Sequence, residues 1–208
     1  MLDTWNDYYA TRKFSKAEIA EWRFGHMKDF AALFPCVLDD GTIPFIQAKR
    51  FIKPARDGDV PFWYMPEGIR REHVAGTHLL TGTETAIIFT EGPFDALRTR
   101  RAIRKMGKLK SIGVVFGYGS KINPDQQDHL FGLVKKELII LSDNDMAGDQ
   151  CAETLEDVGR KRVPRVTRVY LPEGVKDPDE AGSSLLMKLI PARTDLFTSR
   201  LKNVLSAT

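Results

Sequence analysis

Ile87-Ile88-Phe89-Thr90-Glu91-Gly92-Pro93-Phe94-Asp95-Ala96-Leu97 is the stretch on which the reading of the fold turns. Its first residues are apolar and rich in β-branching, the composition of a strand buried on both faces. A tight Glu91-Gly92 turn follows. Pro93 then stands in what would be the first turn of a helix, where its missing N–H is no loss.

The same alternation continues to both sides. Apolar runs of strand length lie at 86–90, 112–116, 138–141 and 166–171. Between them are helical candidates at 93–106, at 124–136 behind an Asn123 cap, and at 149–158 closing before Gly159. Strands that strictly alternate with helices are joined by right-handed crossovers, so the sheet should be parallel. Its functional crevice should lie at the C-terminal strand ends. The expected class is therefore α/β, a Rossmann-like parallel sheet flanked by helices.

The first 82 residues do not alternate in this way. Ser15-Lys16-Ala17-Glu18 reads as a capping box, with Ile19 and Trp22 on one face of a single short helix and Gly25 as its stop. Beyond it, Phe34-Pro35, Asp39-Asp40-Gly41, Pro54, Gly58, Pro61 and Pro66-Glu67-Gly68 punctuate short apolar pieces such as 43–46, the pattern of a small antiparallel β unit. Near the other end, Leu185, Leu186, Leu189 and Ile190 suggest one more helix. Three parts are expected: a basic α+β subdomain at 1–82, an α/β domain at 83–182 and a helical tail at 183–208.

Composition sets the outer limits. With 208 residues, 42% of them apolar, the chain can form one or two compact units. No run approaches the 18 apolar residues that span a bilayer, so no membrane association is expected. The N-terminal segment has neither the basic nor the apolar region of a secretory signal, so the expected location is the cytoplasm, a host's if the chain is phage-encoded. Cys36 and Cys151 stand alone and the four histidines have no zinc-finger spacing, so no zinc is expected in this chain. The net charge of +3 is uninformative, but its distribution is not. Arg98, Arg100, Arg101, Arg104, Lys105, Lys108 and Lys110 occur without an intervening acid, whereas Asp143, Asp145, Asp149, Glu153, Glu156 and Asp157 occur without an intervening base. Such blocks read either as solvated helix faces or as a phosphate track beside a metal site.

Carboxylates favour the second reading. Glu91 and Asp95 follow the first candidate strand, Asp143 and Asp145 the third, and Asp177, Asp179 and Glu180 the fourth. Parallel strands place all three groups on one edge. Clustered carboxylates repel one another unless cations neutralise them, and Mg2+ prefers such hard oxygen donors. An isolated Asp-x-Asp is more often a solvated turn or helix cap; here it is the conjunction of three acidic loops that carries weight.

The segments 87–97 and 138–148 resemble the two motifs of the Toprim domain, found in bacterial-type primases, topoisomerases and some nucleases. Leu171-Pro172-Glu173-Gly174-Val175-Lys176-Asp177-Pro178-Asp179-Glu180 resembles the Lys-Asp-Pro-Asp-Glu element of DnaG-type and phage primases, and Gly119-Ser120 through Pro124-Asp125-Gln126-Gln127 is similar to a loop of the same enzymes. Upstream, Phe45-Ile46-Gln47-Ala48-Lys49-Arg50, Tyr64-Met65-Pro66-Glu67-Gly68 and Leu79-Leu80-Thr81-Gly82 resemble the N-terminal subdomain of a primase catalytic core. The resemblance covers residues 8–180.

It implies RNA primer synthesis on a single-stranded DNA template from ribonucleoside triphosphates by two-metal nucleotidyl transfer, with Mg2+ or Mn2+. Glu91 and Asp143 would be the principal metal ligands, Asp145 would complete the second site, and Asp95, Asp177 and Asp179 would be auxiliary acids. Lys49, Arg50, Lys53 and Arg56 would meet the template. Trp63 and Tyr64 read either as stacking platforms or as core residues of a small domain. Two positions depart from the family: Phe62 stands where a Lys is usual, and Lys49 where an Arg is common. A replicative helicase, a zinc-binding module on another chain, or both, are the implied partners. A Toprim nuclease and a non-catalytic nucleic-acid-binding subunit of a replication complex are the alternative functions.

Overall fold

The structure, a computed structural model, describes residues 4–27, 31–50, 63–65 and 68–195. The chain divides into two units, one formed by Met1–Arg71 and Ala75–Leu79, the other by Glu72–Val74 and Leu80–Thr208.

In the first unit, helices α1 (Thr4–Thr11) and α2 (Lys16–Glu21) precede a sheet of β1 (Gly25–Met27), β2 (Ala31–Pro35), β3 (Ile46–Arg50) and β4 (Trp63–Tyr64). The strands pair antiparallel in sequence order, as the turn-rich sequence suggested. Two helices occur where one was expected, because α1 lacks apolar periodicity: among its described side chains only Tyr9 is deeply buried. The capping box of α2 forms, with Ser15 Oγ accepting from the Glu18 N–H at 3.3 Å and the Glu18 carboxylate accepting from the Ser15 N–H at 2.9 Å. Gly25 does not end the helix. Arg23 takes the left-handed conformation (φ 54°), its N–H donating to Ala20 O and that of Phe24 to Ile19 O, so Gly25 is free to open β1. Ile19, Trp22, Phe24, Phe34 and Phe45 are buried, with the rings of Phe24 and Phe34 edge to face at 4.9 Å.

The second unit is built on β5 (Ala86–Thr90), β6 (Ile112–Phe116), β7 (Glu137–Ile140), β8 (Arg165–Arg168) and β9 (Thr194–Asp195), in the order β6-β5-β7-β8-β9. The first four are parallel, and β9 adds an antiparallel edge. Helices α3 (Pro93–Lys105), α4 (Pro124–Leu133) and α5 (Met146–Gly159) provide the crossovers. Every residue of β5, β6 and β7 is buried, which accounts for their continuous rather than alternating apolar sequence. Ile87, Phe89, Val115, Leu138 and Ile140 pack with Leu130 and Phe131 of α4 and with Leu155 of α5.

Helix boundaries shift for local reasons. Helix α4 ends at Leu133 because Val134 is extended (ψ 115°). Helix α5 starts before residue 149 because Asp145 is its cap, accepting from the Gly148 N–H at 2.8 Å. Helix α6 (Pro178–Leu189) begins behind Asp177, which accepts from the Glu180 N–H at 2.8 Å, and is kinked at Gly182, whose φ of 72° favours glycine. It packs on α3, and the expected 182/183 boundary falls within it. Of the expected tail, residues 196–208 lie outside the described residues.

Because β5 lies between β6 and β7 in the sheet, Glu91 leaves its strand beside the exit of β7. The Leu141 N–H donates to Phe89 O at 2.9 Å, carrying the pairing one residue past β7 and fixing where Ser142 and Asp143 emerge. No helix among the described residues is long and apolar enough to cross a membrane.

Candidate functional site

The acidic edge begins with one hydrogen bond. The Asp143 N–H donates to Glu91 Oε1 at 2.9 Å, joining the first acid of the β7 loop to the acid that ends β5. Glu91 is only 7% exposed. Burial raises its carboxyl above the usual range and Asp145 adds repulsion, while the Asp143 N–H and Arg168 act in the opposite direction.

Asp143 is the most informative group. Burial, and then repulsion from Glu91, Asp177 and Asp145, push its carboxyl up to about 7, with Lys176 offsetting part of the effect. Its Oδ1 is buried and accepts no hydrogen bond. A buried carboxylate oxygen without a donor is costly, and a bound cation would supply what the protein does not. Close packing shapes the same place. A Cβ on Gly148 would lie 2.1 Å from the Asp143 carbonyl oxygen and 3.0 Å from Glu91 Oε1, so only glycine lets α5 begin this close to both acids.

The other acids have structural duties as well. One oxygen of Asp145 caps α5 and one of Asp177 caps α6. Asp95 lies in the first turn of α3, where burial and then Asp143 and Asp177 raise its carboxyl well above the ordinary range; its Oδ1 accepts from the Asp179 N–H at 3.1 Å. Asp179 is held by Arg98, whose Nε and terminal nitrogen donate to Oδ1 at 2.9 and 2.7 Å. The sequence-expected acids are thus brought within electrostatic reach of one another. Among the described residues, no three His, Cys, Asp or Glu side chains are gathered as a metal cage. The fit to a divalent cation rests on Asp143: an unsatisfied hard oxygen beside Glu91, in a cluster with excess negative charge.

The basic run on α3 is not a uniformly solvated face. Arg98 and Arg100 are buried, Arg98 is paired with Asp179, and Lys105 Nζ lies 3.4 Å from Ser183 Oγ.

In the first unit, Lys49 and Trp63 face each other across β3 and β4, with Lys49 Nζ 4.5 Å from the centre of the indole ring. Lys49 is 8% exposed, whereas Trp63 and Tyr64 are 37% and 40% exposed rather than enclosed in a core. Arg50 ends β3, opposite Ala31. Lys53, Arg56 and Phe62 lie outside the described residues.

The sequence assigned no individual site role to Arg168, Ser142, Asn144 or Asp149, the last of these read only as one of an acidic block. Asn144 ties the β7 loop to the segment after β8, its side-chain amide donating to the carbonyls of Pro172 (3.2 Å) and Val175 (3.0 Å) and its N–H to that of Lys176 (2.7 Å). Arg168 donates to both Ser142 and Asp149. The available signal was position: Arg168 ends a strand on the edge that carries the acids.

Comparison with known proteins bears on the fold. Residues 88–182 match the family model described as Toprim-like. No curated protein matches the sequence significantly. Among solved structures, the Aquifex aeolicus primase, comprising zinc-binding and RNA polymerase domains, superimposes with a TM-score of 0.75 at 20% identity, over 95% of this chain and 57% of that one. The E. coli primase catalytic core gives 0.72 at 16% identity, over 99% and 78% of the two chains. The primase fragment of the bacteriophage T7 primase-helicase gives 0.65 at 17% identity, over 87% and 72%. The chain therefore spans less than two thirds of the Aquifex chain, and at these identities the likeness is one of fold. Residues 88–182 thus resemble a Toprim-like domain, in a chain with the fold of the DnaG-type and phage primase catalytic cores.

Proposed function

We propose that this chain is a primase catalytic core that joins ribonucleotides into short RNA primers on single-stranded DNA. The observation that carries the reading is the Glu91–Asp143 pair at adjoining strand ends, with a buried Asp143 oxygen that no protein donor satisfies, in a chain with the primase-core fold. Glu91 and Asp143 would hold divalent magnesium or manganese, and Asp145 would complete the set with the oxygen not engaged at the α5 cap. When bound, such ions lower the pKa of an attacking 3′-hydroxyl and offset charge on the triphosphate and its leaving pyrophosphate.

The chain's own residues act around that centre. The Asp143 N–H fixes the Glu91 carboxylate in place. Asp95, its carboxyl raised well above the ordinary range, reinforces the position of Asp179, and Asp177 and Asp179 serve as auxiliary acids beyond Asp143. On the first unit, Lys49 and Arg50 would meet template phosphates, with Lys53 and Arg56 of the same basic cluster. The exposed rings of Trp63 and Tyr64 suit stacked bases, each contributing about 1–3 kcal/mol. A replicative helicase, a zinc-binding module, or both, are the partners this reading calls for.

Calorimetry with a ribonucleoside triphosphate, in the presence and absence of Mg2+, tests the reading, together with incubation of labelled single-stranded DNA without nucleotides. Metal-dependent triphosphate binding and intact DNA are expected. Cleavage of the DNA would favour a nuclease, and DNA binding with no triphosphate binding would favour a non-catalytic subunit.

A further inference from the structure

Arg168 ends β8 and reaches across to the loop that carries Asp143 and Asp145. One terminal nitrogen of its guanidinium donates to Ser142 Oγ at 3.2 Å and also to the Asp149 carboxylate. Ser142 immediately precedes Asp143, and Asp149 lies in the first turn of α5, so a single group grips the chain on both sides of Asp143 and Asp145. The grip is itself restrained: the side chain is only 11% exposed, and its guanidinium lies over the Tyr170 ring at 4.8 Å. The same positive charge offsets part of the burial that raises the Glu91 carboxyl.

We propose that Arg168 is a positioning residue for the acidic edge, bridging Ser142 and Asp149 across the 143–145 loop so that Asp143 and Asp145 are held for a divalent cation. The inference rests on the metal reading above and extends it to a residue that would touch neither metal nor substrate. A planar guanidinium aims its N–H bonds at two acceptors in fixed directions, which a lysine ammonium on a flexible stem does poorly. Groups that orient metal ligands from behind typically change metal affinity by about 10–100-fold.

The test is Mn2+ affinity, followed by electron paramagnetic resonance, for wild type, Arg168→Met, Arg168→Lys, Asp149→Asn and the Arg168→Met/Asp149→Asn double variant, each with a urea unfolding curve. Arg168→Met is expected to weaken Mn2+ binding about 10-fold or more. Arg168→Lys should keep the wild-type unfolding midpoint yet recover only part of the affinity. The double variant should bind no more weakly than Arg168→Met alone, since both changes break one bridge. Wild-type affinity in Arg168→Met, full recovery in Arg168→Lys, or losses that add in the double variant would each overturn the bridge. If Arg168→Met does not fold, Arg168→Lys and Asp149→Asn decide: either one at wild-type affinity refutes it. Failure of the wild type to bind Mn2+ would overturn the metal reading itself, a result distinct from any of these.

Discussion

Replacing Asp143 by Asn should make the metal-free protein more stable at pH 8 while removing its function. In the folded chain the Asp143 carboxyl is pushed from an ordinary 3.8 to about 7, by burial first and then by Glu91, Asp177 and Asp145. A group whose folded pKa lies above its unfolded one leaves stability intact below the unfolded value and erodes it as pH rises to the folded value. At about 1.4 kcal/mol per pH unit the loss is about 4 kcal/mol by pH 7. The carboxyl keeps some contact with solvent, and screening brings this to roughly 2 kcal/mol. A carboxamide at this position cannot ionise, so the variant escapes the loss. In EDTA, urea or thermal unfolding of the two proteins should nearly coincide at pH 4 and diverge at pH 8, with the variant melting roughly 5 °C higher. Mg2+ should then reverse the order, because only the wild type gains from the ion. A variant less stable than wild type in EDTA at pH 8, or a difference independent of pH, would refute the reasoning.

Other consequences are equally concrete. Gly148→Ala places a methyl 2.1 Å from the Asp143 carbonyl oxygen, so it should cost about 1–3 kcal/mol in urea unfolding and abolish stabilisation by Mg2+. Arg193 grips buried Glu137 through two hydrogen bonds, at 2.7 and 2.6 Å, with Thr167 donating to the same carboxylate. Arg193→Ala, which leaves that charge without its main partner, should destabilise by about 2–3 kcal/mol, and Arg193→Ala/Glu137→Gln by less. Burial pushes the Cys151 thiol up to about 12, and Cys36 is also buried, so a thiol reagent at pH 8 should modify either cysteine only as fast as the protein unfolds. On the first unit, Trp63→Ala should weaken binding of single-stranded DNA by about 1–3 kcal/mol in a fluorescence titration.

Legibility of the sequence followed the kind of interaction that fixed each element. Strands β5 and β6 were readable to the residue because total burial makes their sequence almost continuously apolar, and Gly92-Pro93 and Gly117 mark where they stop. The edge that gathers the acids followed from parallel topology alone. Helix α1 was not readable, because it has no repeating apolar face. The stop of α2 was misplaced because Arg23 adopts a left-handed conformation that sequence assigns first to glycine. The short antiparallel β9 was equally hidden: two residues carry no pattern, and their pairing with β8 is supported by the Arg165–Asp195 ion pair at 2.9 Å. At the site, the acids were visible as types at strand ends. Their division of labour was not, since it depends on which oxygen caps a helix, which faces Arg98 and which is left without a donor.

The central claim is that the Glu91–Asp143 edge performs metal-dependent nucleotidyl transfer. Its most direct test is the incorporation of labelled ribonucleotides into oligoribonucleotides on single-stranded DNA, with Mg2+ or Mn2+, by wild type, Glu91→Gln and Asp143→Asn side by side. The account predicts template- and metal-dependent product from the wild type, and a loss of about 100-fold or more in each variant, the scale set by removing one charge-stabilising group from an active site. Undiminished synthesis by both variants, or none by a folded wild type that binds metal and triphosphate, would contradict it.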